Sequence, residues 1–243
     1  MKRTLIAASV LAALSLTPLG ARAEYEAATV DNAGVITGRV LLGDATPEFR
    51  QHQISKNTEV CGLGPRHIPL VHANEDALLD VVVYLEDIER GKPFAAAAKK
   101  VTIDQKACSF EPHLSVMADG GELEAINSDP LLHNIHVYEI SGGLRQTVMN
   151  VSQPERGNIV SKRISLERGH ALKIECDAHD FMHASVFVAR NPYYAVVDER
   201  GRFEIDEVPP GDYMVRAWHG VLGIRAQRIT VPANGTVFLR LSF

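Results

Sequence analysis

Short segments in which apolar and polar residues alternate, or in which β-branched residues cluster, recur along most of the chain. Glycine, proline, asparagine and aspartate separate these segments, which is the pattern of strands joined by turns. We therefore predict strands over Val35–Leu42, Leu79–Leu85, Lys100–Asp104, Leu114–Met117, Glu122–Ile126, Ile135–Ile140, Ile159–Ser165, Ala171–Glu175, Ala184–Ala189, Tyr194–Val197, Arg202–Ile205, Tyr213–Trp218, Gln227–Val231 and Thr236–Leu241. This number of short strands predicts an all-β protein made of sandwiches or barrels. Helical turns are expected only near Asn74–Leu78 and Gly91–Ala98.

The first 23 residues differ from the rest of the chain. Two basic residues, Lys2 and Arg3, precede an apolar or small run from Thr4 to Leu19, and residues 21–23 have the A-x-A form of a cleavage site. We interpret residues 1–23 as a secretory signal peptide that is cleaved after Ala23. A membrane anchor is the alternative, but the run is short for a span and has no stop-transfer flank. The expected product is a soluble protein of the bacterial periplasm, with a secreted protein as the alternative.

The charge balance limits the classes of partner. The formal net charge is −5, and removal of the signal peptide takes away three of the 25 basic residues and none of the 30 acidic ones, which gives −8. A nucleic-acid-binding protein needs a basic face, so that class is not expected. No segment after the cleavage site is long enough to span a bilayer. A protein that docks on this chain electrostatically is expected to present a basic face.

Two turn-rich signatures mark the C-terminal part of the chain, at Asp198–Ile205 and at Val208–Tyr213. Together they read as a strand, a D-x-x-G turn, a strand, a P-P-G turn and a further strand. This pattern resembles the carboxypeptidase regulatory-like (transthyretin-like) β-sandwich. Gly34–Pro47 and Asp80–Leu85 resemble the earlier strands of the same module.

The resemblance implies a discontinuous domain organisation. Residues 24–98 and 191–243 would form the small transthyretin-like sandwich, and residues 99–190 would form a second domain inserted between them. The alternative is that the N-terminal strands extend the inserted domain instead.

The inserted segment contains a group of soft and borderline metal ligands. Cys176, His179 and Met182 lie within seven residues, and His133 lies upstream between two predicted strands. Two histidines and one cysteine with a weak axial methionine are the ligands of blue copper sites. Sulfur favours Cu(I), while imidazole suits both oxidation states. We therefore predict one type 1 copper ion bound by His133, Cys176, His179 and Met182.

The same region resembles the cupredoxins. Phe110–Val116, Gly120-Gly121, Ile126-Asn127 and His133-Asn134 are similar to the first half of the plastocyanin family, and the C-x2-H-x-F-M loop with an upstream H-N-x-H is most similar to amicyanin. The resemblance covers residues from about 100 to 189. It implies a Greek-key cupredoxin β-sandwich, a type 1 copper ion and outer-sphere electron transfer.

Carried over by position, the resemblance also assigns roles around the copper ion. Asn134 would hydrogen-bond near the cysteine loop. His179 would be the ligand whose ring edge reaches the surface and passes the electron, within an apolar patch of Leu131, Leu132 and Phe181.

Other histidines near these positions receive different interpretations. His183 directly follows Met182 and is an alternative axial ligand, which would give a non-blue site. His136 is three positions from His133, so on a strand it faces the other way and is interpreted as structural or surface-exposed. His113 lies outside the matched ligand positions.

The chain has only three cysteines. If Cys176 binds the metal, Cys61 and Cys108 remain as a candidate disulfide in an oxidising compartment. Spacing does not prove this pairing, and a disulfide between Cys176 and either of the others would abolish the copper site.

Two functions remain open. In the first, the protein is a periplasmic, non-enzymatic electron carrier between redox partners such as a dehydrogenase or a cytochrome. In the second, it binds or handles copper without carrying electrons. A third, purely structural interpretation is a cupredoxin fold that binds no metal. Motifs for multicopper oxidases, copper nitrite reductases, CuA centres, c-type haem and serine hydrolases are absent from the sequence. The sequence therefore does not predict an enzyme.

Overall fold

The computed structural model describes residues 25–243, so the predicted signal peptide lies outside the described residues. Residues 25–243 contain 22 strands, a single turn of α-helix and one turn of 3-10 helix. In chain order the strands are β1 (Glu26–Ala27), β2 (Gly34–Leu41), β3 (Glu48–Ile54), β4 (Gly64–Val71), β5 (Ala73–Asn74), β6 (Ala77–Leu78), β7 (Val81–Leu85), β8 (Arg90–Gly91), β9 (Lys100–Lys106), β10 (Ser109–Glu111), β11 (Leu114–Ala118), β12 (Glu122–Asn127), β13 (His133–Ser141), β14 (Leu144–Gln153), β15 (Ile159–Arg163), β16 (Ala171–Glu175), β17 (His183–Ala189), β18 (Tyr194–Val196), β19 (Arg202–Val208), β20 (Gly211–His219), β21 (Gly223–Val231) and β22 (Thr236–Ser242). The helical turns are α1 (Thr58–Cys61) and the 3-10 turn Ala96–Lys99.

The prediction of an all-β protein is confirmed, and every predicted strand overlaps an observed one. The helical turn predicted over Asn74–Leu78 is wrong, because those residues form the short β5–β6 hairpin, with Asn74 opposite Ala77. Near Gly91–Ala98, helix is limited to the 3-10 turn, and Gly91 belongs to β8.

Strands β9 to β17 form two sheets that face each other, which we call the insert sandwich. One sheet has the order β10-β9-β12-β15 and the other β11-β17-β16-β13-β14. Alternate residues of β12, such as Leu123 and Ala125, point into the core, as expected for a strand with one buried face. Facing side chains such as Ile135 and Ile174 complete that core.

Strands from both ends of the chain form a second structure, which we call the composite sandwich. One sheet has the order β18-β7-β20-β21, and the other contains β2 paired with β19, β6 and β22. β2 and β22 are parallel, with Gly38 opposite Leu239. A Cβ atom at Gly38 would lie 2.1 Å from the Leu239 carbonyl oxygen, so only glycine allows this approach.

Two strands with both faces buried join the sandwiches. One face of β7 points into the core of the composite sandwich, and one face of β17 points into the core of the insert sandwich. The side chains on their other faces, Val82, Tyr84, Phe187 and Ala189, pack together between the two sandwiches. The ring centroid of Phe187 lies 4.8 Å from that of Tyr84 and 5.7 Å from that of Trp218. Trp218 therefore packs at the junction.

A hairpin of β3 and β4, with α1 at its tip, extends from the composite sandwich over one end of the insert sandwich. We call residues 48–71 the cover hairpin. Ile54, Cys61 and Ile68 pack into the core of the insert sandwich, whereas Val71 at the base packs into the composite core. Within the N-terminal segment 24–98, the cover hairpin is thus the part that contributes to the core of the insert. Along residues 25–243, no helix is long and apolar enough to cross a membrane.

Replacing Phe187 by alanine is expected to lower the free energy of unfolding by about 3–5 kcal/mol, because it removes a fully buried ring from the junction. The matched control is Phe238→Ala, whose side chain is 80% exposed and should change stability by less than about 0.5 kcal/mol. Urea unfolding followed by fluorescence measures both. Equal effects of the two variants would contradict the packing described here.

Candidate metal centre

Three of the predicted ligands meet at one end of the insert sandwich. His133 is the first residue of β13, and Cys176 directly follows β16. These strands are paired, with His136 opposite Glu175, so both residues lie at the same end of the sheet. His179 lies on the loop that connects β16 to β17, where its N–H donates to the Cys176 carbonyl oxygen.

The ligand atoms of these three residues form a small triangle. The Nδ1 atoms of His133 and His179 are 3.1 Å apart, and the Cys176 Sγ lies 3.8 Å from the first and 3.7 Å from the second. A metal ion about 2.0 Å from each nitrogen and about 2.3 Å from the sulfur fits among them, because every edge is shorter than the two bonds that would span it. All three side chains are buried.

Met182 lies in the same loop, and its side chain is also buried. Its backbone N–H donates to the His179 carbonyl oxygen at 2.9 Å, which holds the end of the loop in a tight turn. The close group of nitrogen and sulfur donors contains His133, Cys176 and His179 but not His183. The ring of His183 instead packs edge-on against His113, with centroids 4.8 Å apart.

A hydrogen bond on the far side of each imidazole ring fixes the orientation of the ring. The Nε2 of His133 lies 2.9 Å from Asp129 Oδ2, and the Nε2 of His179 lies 3.1 Å from Asn57 Oδ1. Because both oxygens accept hydrogen bonds, each Nε2 donates a proton outwards, and the two Nδ1 atoms face each other at hydrogen-bonding distance. Burial lowers the pKa of His179, and the neighbouring His133 lowers it further, so this ring is neutral at pH 7.

Asp129 connects the histidine to the loop that contains Cys108. Its carboxylate accepts the backbone N–H groups of Ala107 and Cys108, each at 2.8 Å, as well as the Nε2–H of His133. Burial alone would raise the pKa of this carboxyl, but the bonds from Cys108, His133 and Ala107 outweigh it and hold the pKa below its usual value. The site therefore includes a buried negative charge close to one ligand.

Asn134 holds the cysteine loop against β13. Its Oδ1 accepts the N–H of Asp177 at 2.6 Å, and its Nδ2 donates to the Asp177 carboxylate at 2.9 Å. Burial raises the pKa of the Cys176 thiol, although backbone N–H groups around the sulfur oppose the shift. Binding of a metal therefore has to displace the thiol proton.

His136 does not reach the ligand triangle. Its Nδ1 lies 3.0 Å from the Asp177 carboxylate, and its ring stacks on Tyr138 with centroids 4.0 Å apart. The residue therefore fixes Asp177 from the solvent side of the loop.

The prediction that the ring edge of His179 reaches the surface is wrong. His179 is 5% exposed, because Asn57 of the cover hairpin lies against its Nε2. Phe181, expected in an exposed apolar patch, is buried under His52, with ring centroids 4.8 Å apart, and under the Arg66 guanidinium. Of the predicted patch, Leu131 is partly buried and only Leu132 is largely exposed.

Cys61 and Cys108 form a disulfide, and Cys176 is the free cysteine among residues 25–243. The disulfide joins the cover hairpin to the insert sandwich, because Cys61 lies at the end of α1 and Cys108 lies in the turn between β9 and β10. Arg66 also crosses this junction and donates to the carbonyl oxygens of Cys61 and Cys108, both at 2.6 Å.

Sequence reasoning missed Asn57 and Asp129. Asp129 had a local signal, because it belongs to the turn-forming segment Asn127-Ser-Asp129-Pro130 and lies four residues before His133. In the structure, the Asn127 side chain accepts the Asp129 N–H. Asn57 had none, since it lies 122 residues from His179 in a segment of polar character.

No protein-family model matches the chain, and no curated protein matches it. Among solved structures, a purple cupredoxin from Nitrosopumilus maritimus aligns at 18% identity and a TM-score of 0.31, over 37% of this chain and 99% of that one. A reduced amicyanin variant aligns at 20% identity and a TM-score of 0.31, over 44% of this chain and 98% of that one. A Cu-containing nitrite reductase from Thermus scotoductus aligns at 19% identity and a TM-score of 0.31, over 40% of this chain and a quarter of its own length.

Asp129→Asn is expected to destabilise the metal-free protein by about 1.5–3 kcal/mol at pH 7, because an amide cannot accept all three hydrogen bonds. The pKa of Asp129 is lower in the folded than in the unfolded state, so its stabilisation is complete at neutral pH and declines as pH falls below about 4. Urea unfolding of the wild type and the variant at several pH values tests this. The exposed Asp44→Asn is the control, and an Asp129→Asn effect that grows towards acid pH would contradict the assignment.

Proposed function

We propose that this chain is a periplasmic copper protein that carries single electrons between redox partners. One observation supports the copper site above all others. The Nδ1 atoms of His133 and His179 face each other at 3.1 Å in a buried position, next to the sulfur of Cys176. Two imidazole nitrogens approach this closely when they share a proton or bind the same metal ion. A metal ion bound to both would take the place of that proton.

The donor atoms favour copper among the common metals. Two imidazoles and a thiolate with a nearby thioether suit an ion that alternates between Cu(I) and Cu(II). Copper bound there would supply one-electron redox chemistry. His133, Cys176 and His179 would hold the ion, and Met182 is the candidate for a further, weaker ligand.

The surrounding residues keep the ligands in place during a change of oxidation state. Asp129 and Asn57 orient the two rings, and Asn134 fixes the backbone that follows Cys176. Because these bonds come from three different segments, the ligands have little freedom to rearrange. A rigid site lowers the structural cost of gaining or losing an electron. Burial also excludes water from the ion.

The proposed partners are redox proteins such as a dehydrogenase or a cytochrome. The predicted net charge of −8 after signal cleavage favours a partner with a basic docking face. Two carboxylates of the ligand loop, Asp177 and Asp180, are 52% and 78% exposed and lie near the proposed ion. With the ring edge of His179 covered, the electron would pass through the cover hairpin or along the loop that contains Asp177.

Copper(II) is added to the metal-free protein, in which Cys176 is a free thiol and the Cys61–Cys108 disulfide is intact. An intense visible band is expected, because the Cys176 thiolate transfers charge to the ion. Cys176→Ala should abolish the band. His136→Ala is the matched histidine control and should retain it, since His136 lies outside the ligand triangle. An unchanged band in Cys176→Ala, or no band in the wild type, would refute the proposal.

Voltammetry distinguishes an electron carrier from a protein that only handles copper. A carrier is expected to show a reversible one-electron wave, because the ligands are fixed in both oxidation states. Tight Cu(I) binding without reversible oxidation would support copper handling instead.

Asn57→Ala is expected to shift the midpoint potential, since it removes the acceptor for the His179 Nε2–H.

A further inference from the structure

The Cys61–Cys108 disulfide lies directly beside the proposed copper site. The sulfur atoms of Cys61 and Cys108 and a ring nitrogen of His179 all lie within 4.8 Å of one another. The Cys108 sulfur also lies within 4.8 Å of a ring nitrogen of His133 and of a carboxylate oxygen of Asp129. Both cysteines are buried, at 2% and 0% exposure.

Hydrogen bonds hold the two cysteines together independently of the S–S bond. The Arg66 guanidinium donates to the carbonyl oxygens of Cys61 and Cys108 at 2.6 Å and to that of Ala107 at 3.1 Å. Asp129 holds the backbone of Cys108 from the other side through its N–H. Cleavage of the disulfide would therefore leave two sulfur atoms close together.

Two adjacent thiolates are the preferred ligands of soft monovalent metal ions. A Cu(I) ion bound by two thiolates has a net charge of −1, and such a charge is costly in a buried position unless a cation lies near. The Arg66 guanidinium supplies a positive charge at the backbone of both cysteines, and it also faces the negative charge of Asp129, which lies within 4.8 Å of the Cys108 sulfur. The two adjacent sulfur donors with a cation beside them suit a complex of a soft monovalent ion.

We propose that reduction of the Cys61–Cys108 disulfide creates a second Cu(I)-binding site beside His179. A dithiol reductant cleaves the S–S bond, which yields the two thiols while the reductant becomes a disulfide. Cu(I) then replaces the two thiol protons, and no electron is transferred in that step. The site uses neither His133 nor Cys176, so it does not require the proposed electron-carrier function.

The access route is the cover hairpin. Three residues of the cover hairpin, Ile54, Cys61 and Ile68, are buried in the insert core, and most side chains of β3 are exposed. Segments with few buried apolar contacts open locally at a lower free-energy cost than the core strands. A dithiol can thus reach the S–S bond while the two sandwiches stay folded.

The test measures the number of Cu(I) ions bound per chain in the untreated protein and in protein treated with dithiothreitol. The dithiothreitol is removed by anaerobic gel filtration before Cu(I) is added. Cu(I) is supplied without oxygen in competition with a chromophoric Cu(I) chelator. The wild type is expected to bind about one ion with the disulfide intact and about two after reduction. Cys176→Ala should bind none when oxidised and about one when reduced.

The double variant Cys61→Ser, Cys108→Ser is the matched control and should bind about one ion in both conditions. Circular dichroism verifies its fold. Protection of Cys61 and Cys108 from alkylation by bound Cu(I) in the reduced wild type, measured by mass spectrometry, gives a readout that does not depend on this variant.

Three results would overturn the second site. They are a disulfide that resists dithiothreitol in the folded protein, a reduced Cys176→Ala variant that binds no Cu(I), and a second ion retained by the serine double variant. Failure of the proposed function looks different. In that case the wild type shows no charge-transfer band, while reduced Cys176→Ala still gains an ion.

Discussion

The contact between the His133 and His179 rings is the constraint on which the rest of the site depends. The two ring nitrogens lie 3.1 Å apart in a buried position, and the surrounding structure fixes both rings in that orientation. Asp129 and Asn57 do so from outside, and they lie on separate segments of the chain. The hydrogen bonds of the metal-free protein thus prepare the geometry that a bound cation requires.

The two sandwiches contribute differently to this arrangement. The insert sandwich supplies the predicted ligands, because its adjacent strands β13 and β16 bring His133 and Cys176 to the same end of one sheet. The composite sandwich supplies the cover hairpin between its own strands β2 and β5, and with it Asn57 and Cys61. The predicted ligands therefore come from the insert sandwich, whereas the residues that cover them come from the composite sandwich.

The parts that were predictable from sequence are those with local signals. Cys176, His179 and Met182 lie on one loop, so their spacing alone indicates a common site. The cover hairpin lacks such a signal, because β3 reads Glu-Phe-Arg-Gln-His-Gln-Ile and has polar residues on both faces. β14 was missed for a similar reason, as its first half is exposed on both faces. The burial of His179 follows from a contact across 122 residues, which no local pattern contains.

The discontinuity of the composite sandwich has a consequence for the order in which the chain folds. The strands of the insert lie within residues 100–189, whereas β2 needs β19 and β22 as neighbours, with Val35 opposite Thr236. Pairing over such a sequence separation is slow, because most of the chain has to be placed first. We expect the insert to form early and the composite sandwich to close last. The cover hairpin would then dock on a preformed set of candidate ligands, so its docking would mark the end of assembly.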